Sequence, residues 1–188
     1  WPECYIPEWT KGLSTEDRKK ELLAYVTETV KRYQYHKALE LWQVENEPFI
    51  RFDFGDCGLF DEAAVIEEIA RVRSLDPLHM TVVTDSGELG VWRKAFKTGD
   101  IFGSTMYRTV LTPRGWRVTY DWMPAAVYRF KAWVWHIPYE RFFIAELQAE
   151  PWLRTGDPRT ESVSEQERTL NPERLADTLE YSRHAGAS

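Results

Sequence analysis

The chain has 188 residues, 43% hydrophobic and 29% charged, a length and balance that suit one globular domain with a sizeable core. Its net charge of -6 excludes the basic field that phosphate contact needs, so nucleic acid is not an expected partner. No run of about 18 apolar residues occurs, so no transmembrane helix is read and no membrane partner is expected.

The opening segment, Trp1 to Trp9, is rich in aromatics and proline, and the first methionine is Met80. A fragment or a processed form is therefore expected, and no localisation is read from this start. Ser14 followed three residues later by Asp17 reads as a helix N-cap. Leu22, Val26, Val30 and Tyr33 then recur at helical spacing. Ala38 to Val44 reads as a buried strand that runs into Asn46-Glu47-Pro48. The loop from Ile50 to Phe60 contains the run DFGDCG. Neither a kinase site nor a calcium loop follows from that run, because the Gly-rich loop and the EF-hand glutamate spacing are absent.

Asp61 can cap a second helix with Val65, Ile69 and Val72 on one face, and Pro77 lies beyond its end. Met80 to Thr84 is a short β-branched strand followed by the loop Asp85 to Gly90. A short helix from Val91 to Phe96 stops at Gly99. Ile101 to Tyr107 is the next strand. A long loop rich in Thr, Arg and Trp leads to a helix over Ala125 to Trp135, closed by Pro138. Arg141 to Leu147 is a fourth strand. The polar stretch Ser162 to Pro172 reads as a loop, and Asn171 and Pro172 begin a last helix with Gly186 as its stop.

Four apolar strands alternating with helices predict an α/β fold with a parallel sheet covered by helices. The loops after the strands are richer in Glu, Trp, Tyr and Arg than those before them. That asymmetry fits an αβ barrel with its chemistry at the carboxyl ends of the strands, and it fits an open α/β sheet too. No G-x-G-x-x-G, Walker or G-x-S-x-G pattern occurs. No cofactor is called for, and no His/Cys/Asp spacing suggests a metal. Cys4 and Cys57 are too few for a disulfide framework and read as two thiols unless their loops are neighbours. Nine tryptophans mildly favour a carbohydrate ligand, since sugar C–H faces stack on indole.

Glu47 ends the first strand and Glu146 the fourth, with two strands between. Two carboxylates at strand ends can hydrolyse a glycoside, one as proton donor and one as nucleophile, when the carboxyls lie about 5–5.5 Å apart. Asn46-Glu47-Pro48 at a strand end, with a second strand-end glutamate three strands later, resembles clan A of the glycoside hydrolases. The resemblance implies a retaining (β/α)8 TIM barrel, here incomplete, as a single partial catalytic domain spanning residues 1–188 and about strands 4 to 7. The remaining strands are expected from the same full-length chain.

The resemblance further implies that Glu47 is the acid/base, that Asn46 binds the sugar 2-hydroxyl, and that Tyr107 holds the nucleophile. Glu146 directly ends the apolar run and is favoured as that nucleophile. Glu150, four residues on, would share its face on an extended strand and reads more as a substrate contact. Trp152 and Trp116 lie on loops of the active side and could stack on sugars or simply pack. Trp1, Glu3 and Trp9 are placed in the loop after strand 3. Glu45 is expected to be structural. Strict alternation would turn Asn46 away from Glu47 unless the strand bulges there. The expected substrate is a β-linked oligo- or polysaccharide, which would favour an extracytoplasmic enzyme; the rival class is a non-catalytic carbohydrate-binding barrel.

Overall fold

The computed structural model describes residues 6–50, 61–112, 115–153 and 156–187. Trp1, Glu3, Cys4, Cys57 and most of the loop from Ile50 to Phe60 lie outside the described residues. The chain divides into two units, Trp1–Asp85 with Val91–Phe102, and Ser86–Gly90 with Gly103–Ser188.

In the first unit, helix α1 spans Thr15–Tyr33. Ser14 caps it as the sequence predicts: its hydroxyl accepts the Asp17 N–H and donates to the Asp17 carboxylate at 2.6 Å. The buried stripe differs from the expected one. Val30 is buried and Leu23 and Val26 are partly covered, whereas Leu22 and Tyr33 are exposed. Strand β1 is Leu41–Glu45, three residues later in its start than expected. Residues 36–39 form a turn instead, in which Leu39 N–H donates to the His36 carbonyl and Ala38 N–H to the His36 ring.

Helix α2, Glu62–Leu75, begins where Asp61 accepts the Ala63 and Ala64 N–H groups. It packs on α1 and on β1 with Val65, Ile69 and Val72 buried. Strand β2, Met80–Asp85, is buried from Thr81 to Asp85. A strand covered on both faces needs an unbroken apolar or hydroxyl run rather than alternation. Val82 and Val83 are fully buried, each contributing about 1.5–3 kcal/mol by leaving water.

Helix α3, Arg93–Thr98, is entered through Trp92, whose φ is 71°. A tryptophan in the left-handed region is costly. Here Asp85 accepts its N–H at 2.8 Å, and its indole is fully buried with its ring centroid 4.9 Å from that of Phe102. Gly99 follows the helix with φ -88°, so it is not the left-handed stop expected of it. Its need is space: a Cβ there would lie 2.8 Å from the Ile101 carbonyl oxygen and 3.0 Å from the Val83 nitrogen.

Strand β3, Ile101–Met106, begins in the first unit and continues in the second. Two short strands follow in the segment expected to be loop, β4 at Thr109–Leu111 and β5 at Arg117–Thr119, paired antiparallel. Helix α4, Ala126–Val134, ends in a left-handed His136 with φ 53°. The His136 and Ile137 N–H groups return to the Trp133 and Ala132 carbonyls, the double bond of a Schellman stop. Strand β6 is Phe142–Leu147. The stretch expected to be a polar loop contains the short helix α5, Val163–Glu167, capped by Ser162. Helix α6, Pro172–Arg183, starts at Asn171, whose side chain accepts the Arg174 N–H.

The main sheet has the strand order β1-β2-β3-β6, is parallel and is not closed. The fold is thus α/β, as the alternating pattern predicts. Among the described residues no helix is long and apolar enough to cross a membrane.

Candidate functional site

Glu47 and Asn46 owe their placement to an irregularity at the end of β1. Gln43 pairs with Val82, but Glu45 pairs with Val83, so Val44 is an extra residue in the ladder. Such a bulge breaks the strict alternation of side chains. Glu47 then takes a left-handed φ of 46°. Both changes converge on Thr84 near the end of β2. Its hydroxyl accepts the Glu47 N–H at 2.8 Å and donates to Asn46 Oδ1 at 3.1 Å. Gln43 Nε2 donates to the same Asn46 oxygen at 3.0 Å. Asn46 and Glu47 are therefore fixed by one buried threonine, and Glu47 is 8% exposed. Non-glycine residues held at positive φ by surrounding bonds concentrate at functional sites.

Glu45, expected to be structural, is partly buried and faces α2. It is hydrogen-bonded to Glu68, a carboxyl group buried among its neighbours. Burial, that hydrogen bond and the nearby charges of Glu45 and Glu67 push the Glu68 pKa well above the carboxylate range. The neighbour of Glu45 on α2 is thus a second acid, and Glu45 sits among structural side chains as expected.

In the second unit Tyr107 lies one residue beyond β3 and Glu146 lies on β6. The Tyr107 hydroxyl donates to Glu146 Oε2 at 2.8 Å. Gln148 stitches the two chain segments just past the strands. Its N–H donates to the Met106 carbonyl, its Nε2 to the Thr109 carbonyl at 2.8 Å, and its Oε1 accepts the Thr109 N–H at 3.0 Å. Gln148 is fully buried, so this double amide pairing replaces water for four polar groups. The Trp152 ring sits 5.5 Å from that of Tyr107 at 60°. A pocket of about 120 Å³ lies at Trp152, lined also by Leu111, Arg117, Leu153, Glu165 and Arg168.

Glu150 is exposed and lies past the end of β6, where its carboxylate accepts the Ala149 N–H at 3.1 Å. The extended strand that would align it with Glu146 stops at Leu147. Trp116 closes the β4–β5 turn, its carbonyl accepting the Thr112 N–H, and its side chain is 73% exposed. Trp9 is exposed as well.

Two residues of this neighbourhood escape sequence reasoning. Glu88, in the loop after β2, accepts the Tyr107 N–H at 3.1 Å and the Tyr128 hydroxyl at 2.6 Å. Burial pushes its pKa up to about 7, against the lowering by Tyr128, nearby N–H groups and the Arg108 charge. Arg108, beside Tyr107, is buried, donates to the Tyr120 and Met123 carbonyls and stacks 4.0 Å above the Tyr181 ring. The one local signal for Glu88 is an acid between two glycines straight after a strand. Among the described residues no group of three or more His, Cys, Asp or Glu could hold a metal ion.

No protein-family model and no curated protein sequence matches this chain. Among solved structures it is similar to the FMN-binding beta-glucuronidase from Facaelibacterium prausnitzii L2-6, with a TM-score of 0.61 and 14% identity. The match covers 93% of this chain and 26% of that one, so the chain spans about a quarter of the length of the structure it resembles. At that identity the likeness is one of fold.

Proposed function

We propose that the chain is part of a retaining β-glycoside hydrolase built on a (β/α)8 barrel. Glu47 protonates the glycosidic oxygen, and Glu146 attacks the anomeric carbon to form a glycosyl-enzyme. Water deprotonated by Glu47 then breaks the Glu146–sugar bond and returns both carboxyls to their starting states. The observation that carries this reading is the 2.8 Å hydrogen bond from Tyr107 to Glu146. A phenol donating to a strand-end carboxylate fixes its rotamer, as a positioned nucleophile requires.

The bulge at Val44 supports the reading from the other unit, since it lets Asn46 and Glu47 share Thr84. In this scheme Asn46 binds the sugar 2-hydroxyl, and Trp152 and Trp116 offer stacking faces. Glu150 is a substrate contact. The substrate is a β-linked oligo- or polysaccharide, and the fold likeness to a β-glucuronidase accords with a glycosidase.

Substitution with chemical rescue in the full-length protein tests this. Glu146→Ala is expected to nearly abolish turnover, with azide restoring it as the inverted glycosyl azide. Glu47→Ala is expected to slow substrates with poor leaving groups most. If Glu150→Ala shows the azide rescue and Glu146→Ala does not, the nucleophile is misassigned. Full activity in Glu47→Ala would reject the hydrolase scheme and leave a carbohydrate-binding protein as the alternative.

A further inference from the structure

The loop Ser86–Gly90 is bound far more tightly than a connection between a strand and a helix requires. Gly90 N–H donates to the Ser86 carbonyl at 3.0 Å and Leu89 N–H to the Ser86 hydroxyl at 3.2 Å. Lys131 of α4 reaches the turn from outside, its ammonium donating to the Gly87 carbonyl at 2.6 Å and the Gly90 carbonyl at 3.0 Å. At Gly87 a Cβ would fall 2.2 Å from the Thr105 carbonyl oxygen and 2.3 Å from the Tyr128 hydroxyl, so only glycine fits. This close approach brings Glu88 to the backbone of Tyr107 and to the hydroxyl of Tyr128, a fully buried side chain.

We infer that the Ser86–Gly90 turn sets the position of Tyr107, with Glu88 as a positioning residue that acts on Glu146 through the Tyr107 backbone and phenol. The functional part of this inference rests on the hydrolase reading above. The chain of contacts is continuous: Glu88 Oε1 accepts the Tyr107 N–H, and the Tyr107 hydroxyl donates to Glu146 Oε2. Tyr107 is held at its backbone by one acid and used at its phenol by another. A charge change at Glu88 alters the strength of the first bond, because a carboxylate accepts more strongly than a carboxylic acid.

The groups facing Glu88 come from several elements. Tyr128 and Lys131 lie on α4, Tyr120 before it, Arg108 beyond β3 and Tyr181 on α6. Tyr120, Tyr128 and Tyr181 all have raised pKa values, mainly through burial, and stay neutral near pH 7. Glu88, by contrast, has its pKa pushed up to about 7, mainly by burial, and so changes charge near neutrality.

The test uses full-length protein labelled with [15N]tyrosine, with the Tyr107 amide resonance identified by its disappearance in Tyr107→Phe. In the wild-type protein that resonance is expected to shift with a midpoint near neutral pH, and to lose the shift in Glu88→Gln. Glu88→Leu, which removes the Glu88 acceptor from both donors, is expected to lower kcat up to about 100-fold with KM little changed. Glu88→Gln, which keeps an acceptor oxygen, is expected to recover most of it and to remove a near-neutral ionisation from the pH–rate profile. A Tyr107 amide that does not respond to pH in the wild type, or responds equally in Glu88→Gln, overturns the inference even if Glu88→Leu fails to fold. A titrating Tyr107 amide in a protein that cleaves no glycoside would support the Glu88–Tyr107 coupling and reject the hydrolase reading.

Discussion

Tyr107 donates its phenol hydrogen to Glu146 at 2.8 Å across a sequence separation of 39 residues. The two side chains come from segments of the same unit that neighbour each other in the sheet, one just past β3 and one on β6, and Gln148 locks those segments together two residues beyond Glu146. Tyr107→Phe removes the bond and keeps the ring that meets Trp152. Hydrogen bonds to charged groups are worth about 1.5–3 kcal/mol. The expected result is a fall in kcat/KM of roughly 10- to 150-fold, with thermal stability nearly unchanged. Steady-state kinetics alongside thermal unfolding checks it. A loss of stability matching the loss of activity would make Tyr107 a packing residue.

Thr84 is the corresponding fixed point in the first unit. Its hydroxyl is fully buried and serves the Glu47 N–H and the Asn46 side chain together. Thr84→Val keeps the shape and removes both bonds. A buried donor left without a partner costs about 1–3 kcal/mol. Denaturant unfolding is expected to show a loss of that size in Thr84→Val and a smaller one in Thr84→Ser, which retains the hydroxyl. Activity is expected to fall most for substrates with poor leaving groups, because the misplaced group is the proposed proton donor. Equal losses for good and poor leaving groups would dissociate Thr84 from the role proposed for Glu47.

Local signals carried most of the helix starts. Ser14, Asp61 and Asn171 each bond an N–H within three residues, so their meaning is contained in the adjacent sequence. The buried run at β2 was legible for the same reason. What was not legible depends on distant partners or on weak patterns. Strands β4 and β5 have three residues each, too short to show alternation, and their pairing is non-local. Helix α5 lies in a stretch with no apolar stripe, and only its Ser162 cap distinguishes it. Sequence pattern named the need for a bulge before Asn46-Glu47 but not its position at Val44, which is set by pairing with β2. Glu88 was passed over, and the acid beside Glu45 was not foreseen, because the partners concerned, Glu68, Tyr107 and Tyr128, lie 19 or more residues away.

His136 provides a stability test away from the proposed catalytic carboxylates. It occupies the left-handed stop of α4 with φ 53°, where a non-glycine residue costs about 1–2 kcal/mol. Glycine is the usual residue at this place in a Schellman stop. His136→Gly is expected to raise stability by up to about 1 kcal/mol after the greater chain entropy of glycine in the unfolded state is subtracted. Its kinetic constants are expected to match the wild type. A lower midpoint in urea would show that the imidazole makes contacts worth more than the backbone strain.

The Glu45–Glu68 pair predicts the pH dependence of stability in the first unit. Glu68 has a folded pKa raised above the ordinary 4.5, mainly by burial. The folded state therefore holds a proton that the unfolded chain has already released. Stability contributed by this group is fully present below the unfolded pKa and is lost as pH rises toward the folded one. The slope is at most about 1.4 kcal/mol per pH unit. Glu68→Gln keeps a donor for Glu45 and cannot ionise. Urea unfolding from pH 5 to 8 is expected to show stability falling with pH in the wild type and a shallower fall in Glu68→Gln, with the two curves closest at the acid end. Parallel curves would mean that Glu68 ionises alike in both states.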